Sequence, residues 1–246
     1  MFDLYGYQDL LLQGAWLTLQ VALLSLLLAI ALGLLAALAK LSHSIFLKSI
    51  ATVYTTIIRG IPDLILMLLI FFGGQMLIND MSYNINEWLN EMFARQSANH
   101  EWTSYLPDYI DISPYFAGII TIGFIFGAYM AETFRGAILS VDKGQLEAAT
   151  AYGMNKYKRF FRVMFPQMMR HALPGLGNNW LVLLKTTALV SIIGLQDMVK
   201  TAGDAAGSTQ KPFTFYLVVA LIFLFFTAVS SAGLQWAERK YSIQTR

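Results

Sequence analysis

Residues 147–166 read EAATAYGMNKYKRFFRVMFP, a basic, aromatic-edged stretch set between long apolar runs. Glu147 to Tyr152 are good helix formers, and Gly153 then relaxes the backbone. Beyond it Met154, Tyr157, Phe160, Phe161, Met164 and Phe165 recur at helical spacing, with Lys156, Lys158, Arg159 and Arg162 on the remaining face. Pro166 is expected to end the element. The pattern predicts two short helices hinged at Gly153, one face apolar and the other cationic. Such an element either lies on a membrane surface against anionic lipid or docks a partner chain. The residues alone leave both readings open.

The runs around it decide the fold class. Of 246 residues 57% are apolar and only 13% charged, about half the charge of an ordinary soluble domain. The apolar residues gather at about 10–39, 50–78, 114–139, 172–195 and 213–236, each long enough for the roughly 20 residues that a bilayer needs. An all-α integral membrane protein with five transmembrane helices is expected, and residues 1–246 read as one transmembrane domain. Strand alternation of the barrel kind is not seen. The first run is too long, and its flank too acidic, for a cleaved leader, so it reads as a retained span. Cysteine is absent, which excludes disulfides, zinc–thiolate centres and thiol catalysis. His43, His100 and His171 stand in no metal-ligand spacing. No phosphate-binding glycine loop or nucleophile–base pair is visible, so any ATP must be handled by another chain.

Five spans place the termini on opposite sides. With the N-terminus outside, the cytoplasmic side receives Lys40, Lys48, Lys143, Lys156, Lys158, Arg159, Arg162, Arg170, Arg239, Lys240 and Arg246, and the outside keeps Arg95, Lys200 and Lys211. That asymmetry predicts N-out and C-in, with 147–166 facing the cytoplasm. The external loop 79–113 is acidic (Asp80, Glu87, Glu91, Glu101, Asp108, Asp111). There Asn84-x-x-Glu87 is expected to cap a short helix lined by Ile85, Trp88, Leu89, Met92 and Phe93. Its surface would either cover the bundle at the interface or form a rim for a soluble partner.

The spacing Glu147-Ala148-Ala149, three residues, Gly153, nine residues, Val163-x-Phe165-Pro166 resembles the EAA signature of ABC-importer permeases, EAA-x3-G-x9-I-x-L-P. Val163 and Phe165 are its two departures, both apolar for apolar. The stretches RGIPDLILMLLIFFG (59–73), GAYMAETFRGAILSVDKGQLEAA (127–149) and LPGLGNNWLVLLKTTALVSIIGL (173–195) extend the likeness to the polar amino-acid uptake branch. Within that branch it runs nearest to a membrane subunit of histidine/lysine/arginine/ornithine importers. The resemblance implies the fold of type I ABC-importer permeases, with 147–166 as a coupling helix seated in an ATPase subunit through Glu147, Ala148, Ala149, Gly153 and Pro166. It further implies a second homologous permease in a heterodimer, a dimer of ATP-binding subunits and a periplasmic solute-binding protein. No cofactor is expected on this chain, since ATP and Mg would sit on the ATPase partner, and the bacterial inner membrane is the expected location. The external loop looks longer than in that relative.

Ionisable groups within spans are costly and call for a partner or a task. Depth counting puts Arg59 level with Glu132 and Asp63 level with Lys185, so Arg59–Glu132 and Asp63–Lys185 pairs are expected, with Arg135 competing for Glu132 at i,i+3. Arg59, Glu132 and Arg135 read as ion pairs that shape the bundle. Asp63 follows Pro62, whose missing N–H opens the helix where a ligand cavity would suit. Its carboxylate can meet the side-chain cation of arginine, lysine, ornithine or protonated histidine. Lys185, or a helix broken near Pro174-Gly175-Leu176-Gly177, can receive the α-carboxylate. Glu132, Asn178 and Thr186 complete the candidates along a substrate path.

The expected function is therefore that of a non-catalytic permease subunit of an ATP-driven importer of amino acids, basic ones foremost. The competing reading is a channel or secondary transporter run by ion gradients, in which 147–166 would only anchor to lipid. A membrane scaffold or sensor, or an intramembrane enzyme, fits the charges less well. Nothing in the sequence suggests nucleic acid as a partner.

Overall fold

The computed structural model describes residues 4–94 and 102–241. The chain forms α1 (Gln8–Leu41), α2 (Ile45–Gly60), α3 (Asp63–Ala94), α4 (Pro114–Leu139), α5 (Lys143–Ala151), α6 (Lys156–Arg159), a π-helical turn (Phe160–Met164), α7 (Phe165–Thr186), a 3-10 turn (Thr187–Ile193), α8 (Met198–Thr209) and α9 (Pro212–Tyr241). Among the described residues there is no strand. Five helical segments are long and apolar enough to cross a membrane: Gln8–Leu41, Asp63–Phe93, Pro114–Leu139, Lys156–Ile193 and Pro212–Tyr241.

α1 and α4 run side by side in the same direction at the centre of the bundle. Small residues let them approach: a Cβ on Gly33 would lie 2.7 Å from the Cβ of Met130. With no hydrophobic drive between helices in lipid, this close packing supplies the attraction. Val21, Ala22 and Ala29 of α1 meet Ile122, Ile125, Phe126 and Met130 of α4 in the main core, which Leu183 and Leu184 of α7 complete. A second core gathers Leu11 and Ala15 of α1 under α8 and α9, around Met198 and Phe215. Here Gly14 is obligatory, because a Cβ would come within 2.6 Å of the Met198 backbone nitrogen, which cannot move aside.

Several expected boundaries change. The run 50–78 is not one helix: Ile61 is extended (φ −114°, ψ 139°) before Pro62, as a residue preceding proline prefers, and α2 and α3 form separately. Helix α3 then continues well past residue 78, to Ala94. Asn84 therefore sits mid-helix and caps nothing. The helix of the fourth span begins far earlier than residue 172 and runs from Lys156 to Ile193. Pro166 does not end it. The Phe165 N–H donates to the Phe160 carbonyl, five residues back, and this widened turn carries the chain past a proline ring that would otherwise meet the Arg162 carbonyl. Pro174 lies inside α7, so the expected break at 174–177 is absent; membrane helices tolerate an internal proline when neighbours shield the freed carbonyl.

The second half of α3 carries a feature that the sequence did not foreshadow. Gln75, Asn79, Ser82, Asn86 and Asn90 recur on one helix face and hold the returning segment 103–112 by its backbone. The Gln75 carbonyl oxygen accepts from Ile112 N (2.9 Å), and Asn79 accepts from Ile110 N (2.7 Å). Ser82 Oγ donates to Pro107 O (2.7 Å). Asn86 accepts from both Tyr105 N (3.0 Å) and Leu106 N (2.8 Å). Asn90 accepts from Thr103 N and donates to Thr103 O (2.9 and 2.8 Å). A segment without sheet or helix partners thereby satisfies its backbone groups. Ser82, Asn86 and Asn90 are buried on this inner face while Ile78, Met81, Trp88 and Met92 are exposed, the reverse of an ordinary surface helix.

Candidate functional site

Two places carry the chemistry. The first is the end of the bundle where α4 gives way to α5. Asp142 caps α5, its side chain accepting from Gly144 N (2.6 Å), and Asn155 caps α6, accepting from Lys158 N (2.9 Å). Between the helices Gly153 takes φ +73°, a left-handed conformation that side chains resist. The break thus falls where glycine was expected to place it. Arg159 Nη1 of α6 donates to Thr150 Oγ1 (2.5 Å) and Gln167 Nε2 of α7 to Gln145 Oε1 (2.6 Å), which fold α5 back on α6 and the start of α7 as a U.

The U encloses an open groove of about 430 Å³ lined by Lys143, Leu146, Glu147, Thr150, Lys156, Arg159, Phe160 and Met164. Glu147 and Ala148 are exposed, whereas Ala149 is buried against the bundle. Among the described residues Glu147 has no ion-pair partner, although three cations share its groove. Tyr157, Phe160, Phe161 and Phe165 stack in one aromatic cluster, with ring centroids 4.6 Å apart for Tyr157 and Phe161. Tyr152 and Tyr157 are 86% and 72% exposed. A docking surface needs such large, unburied, rigid side chains around a charge. Pro166 stands at the start of α7 behind the groove.

The second place is the set of charges among the spans. Arg59 and Glu132 do not pair. Glu132 is instead taken by Lys40 from the end of α1 and by Arg135 Nε at 2.9 Å. Lys40 also donates to Thr55 of α2, so one ammonium ties α1, α2 and α4 together. Arg59 lies over the ring of Tyr129, 5.7 Å from its centroid, and Asp63 interacts with the Tyr129 hydroxyl. Asp63 and Lys185 form no ion pair, and Lys185 is exposed. Arg59 precedes the break at Ile61-Pro62, and its expected acceptor is already engaged by Lys40 and Arg135; Asp63 follows the break, where α3 starts as a separate helix and depth cannot be counted along one straight axis. The structure brings together Arg59, Asp63 and Tyr129, and separately Lys40, Thr55, Glu132 and Arg135.

The neutral candidates lie elsewhere. Asn178 is exposed in a cleft of about 280 Å³ between α7 and α9, with Ser231, Gln235 and Glu238. Thr186 is buried and its hydroxyl donates to Val182 O within its own helix (3.1 Å). Asn179 reaches Thr133 of α4 (3.1 Å). Sequence reasoning missed Lys40, counted as a loop charge, and Tyr129. The available signal for both was position: Lys40 directly ends an apolar run with a side chain long enough to reach back, and Tyr129 lies one turn before Glu132 on α4.

Residues 29–243 match the family of binding-protein-dependent transport system inner membrane components. The chain is 50% identical over 240 residues, 98% of its length, to the histidine/lysine/arginine/ornithine transport system permease protein HisQ of Salmonella typhimurium, of which it covers 96%. It is 40% identical over 95% of its length to the nopaline transport system permease protein NocQ of Agrobacterium fabrum, covering 92% of that relative. Among solved structures, an amino acid ABC transporter crystallised with histidines superposes with a TM-score of 0.73 at 30% identity, covering 95% of both chains. The MetNI methionine ABC transporter shares the fold (TM-score 0.65, 16% identity, 95% of this chain and 97% of that one). With five apolar crossings, this is a multi-pass protein of the bacterial inner membrane, and it belongs to the family of binding-protein-dependent transport system inner membrane components.

Proposed function

We propose that this chain is the permease subunit of an ATP-driven importer of amino acids, with histidine, arginine, lysine and ornithine as its substrates. The observation that carries this reading is the 50% identity to a histidine/lysine/arginine/ornithine permease along almost the whole chain, joined to an exposed Glu147 groove at the basic end of the bundle. The N-terminus lies outside and the C-terminus inside, because the cations of α5, α6 and the end of α9 gather at one end. The chain stands beside a second, homologous permease in a heterodimer. The U of α5 and α6 is the coupling element, seated in an ATPase subunit that holds ATP and Mg, while a soluble binding protein delivers substrate outside. Closure of the ATPase pair would draw the two coupling elements together and shift the spans between inward- and outward-open populations. Asp63, at the opened junction of α2 and α3, is the group on this chain suited to a substrate's side-chain cation.

The deciding measurement is the composition of the complex. Tagged chain, extracted gently from its native membrane, should carry an ATPase and a second permease in stoichiometric amounts by mass spectrometry. A chain that purifies alone with intact fold would return the reading to a channel or secondary carrier. Glu147→Lys and Gly153→Val should insert normally but lose ATPase docking; coupled uptake at the normal rate in both would refute the coupling role.

A further inference from the structure

We propose that the projecting part of α3 is the seat of the soluble protein that delivers substrate, which docks through an apolar strip with an acidic margin. The proposal rests on the permease reading above and names the surface. Met67, Phe71, Gly74, Ile78, Met81, Ile85, Trp88 and Met92 follow one another at alternating steps of four and three residues, the spacing of a helix-packing seam. The first two pack into the main core. From Ile78 onward the same seam is uncovered by any of the described residues, with its side chains 38–60% exposed. The strip is thus the core-facing line of α3 prolonged past the end of its own bundle.

On this reading the strip lies beyond the lipid, the crossing being made by α2 together with the start of α3. Gln75 bonds to Ile110 and Ile112, immediately before α4 begins at Pro114, so Gln75 is level with the end of the bundle. α4 alone, with 26 residues, is longer than the roughly 30 Å hydrocarbon core, at about 1.5 Å per residue. From Gln75 to Ala94 the arm runs a further ~28 Å at that rise. A permease standing beside this one in the membrane meets its flank, whereas the strip overhangs its end. The occupant therefore arrives from the aqueous side. Beside the strip stand Asp80, Glu87 and Glu91, with Asp108 and Asp111 on the returning segment, all exposed. Among the described residues of 75–93 and 102–113 there is no Lys or Arg. The partner's face is accordingly apolar with a basic rim. The amide ladder holds the arm ready, so docking orders little that is not already ordered.

The test uses the whole importer in lipid discs and its own binding protein, loaded with arginine. The concentration of binding protein giving half-maximal ATPase stimulation is measured. Met81→Glu with Trp88→Glu should raise it about tenfold or more, the effect of losing a hot spot, with the maximal rate unchanged. Asp80→Asn, Glu87→Gln and Glu91→Gln together should raise it a few-fold and flatten its dependence on salt, about 8 Å being the screening length at physiological ionic strength. Trp88→Ala, with co-purification of all subunits, guards against misfolding. An unchanged half-saturation in every variant overturns the proposal, as does loss of the second permease from the complex, which would make the strip a subunit contact. A wild-type importer that no binding protein stimulates overturns the functional reading as well, and so the two failures are distinguishable.

Discussion

Glu132 accepts from two cations that differ in exposure, and the difference sets their worth. Lys40 is 10% exposed and Arg135 40%. A half-exposed pair contributes less than about 1 kcal/mol, whereas removing one partner of a buried pair costs about 3–5 kcal/mol because the survivor keeps its charge without compensation. Glu132→Gln should therefore lower the unfolding temperature in detergent much more than Arg135→Met; equal losses would show that Lys40 finds solvent or another acceptor. At Asp63 the expected effect is on selection. Asp63→Asn should weaken uptake of arginine and lysine far more than of any neutral amino acid the importer accepts. A uniform loss would assign Asp63 to the α2–α3 junction and its contact with Tyr129.

Among the elements, α3 and its returning segment depend on amides rather than on apolar burial. Asn86→Leu strands the N–H groups of Tyr105 and Leu106, each costing about 1–3 kcal/mol if it stays buried and unpaired. Limited proteolysis should then nick 103–112 in Asn86→Leu while α1 to α9 otherwise stay resistant; an uncut segment would mean that the remaining rungs suffice. Helix α8 makes a second case. Asp197 caps it, Oδ1 accepting from Lys200 N (2.9 Å), while Oδ2 is buried without a hydrogen bond among the described residues. Burial pushes the carboxyl up to about 6. With the folded value above the unfolded one, the contribution to stability is complete below the ordinary carboxylate range and is lost as pH rises through about 6. Asp197→Asn keeps a capping side chain and should flatten the fall in melting temperature between about pH 4 and about 6. An unaltered fall would place its origin in other groups.

For the whole molecule the decisive contrast lies between its two ends. The end with α5, α6 and the close of α9 is basic and holds an open groove, while the opposite end carries an acidic arm. Much of this was legible from charge and hydropathy. The five crossings, the break at Gly153 and the clustering of cations rest on local rules, since helix length, glycine conformation and charge placement are decided within a turn or two of chain. The motif of 147–166 was legible by its spacing, and the same spacing matched it to a family. Pairing across the bundle was not. Counting depth along straight helices gave Arg59–Glu132 and Asp63–Lys185, and the actual partners were Lys40 and Tyr129.

What the amino-acid sequence by itself determined, then, is the membrane class, the number of crossings, the polarity of the ends and the hinge at Gly153. The tertiary structure alone decided three further features. A π-turn carries the chain through Pro166. The run at 50–78 divides at Pro62 and sends α3 out to Ala94. The amides of that arm turn inward to serve a returning backbone. The reason is common to all three. A proline or an asparagine states only which hydrogen bond is missing or on offer, and the group that answers it is brought near by packing between distant parts of the chain.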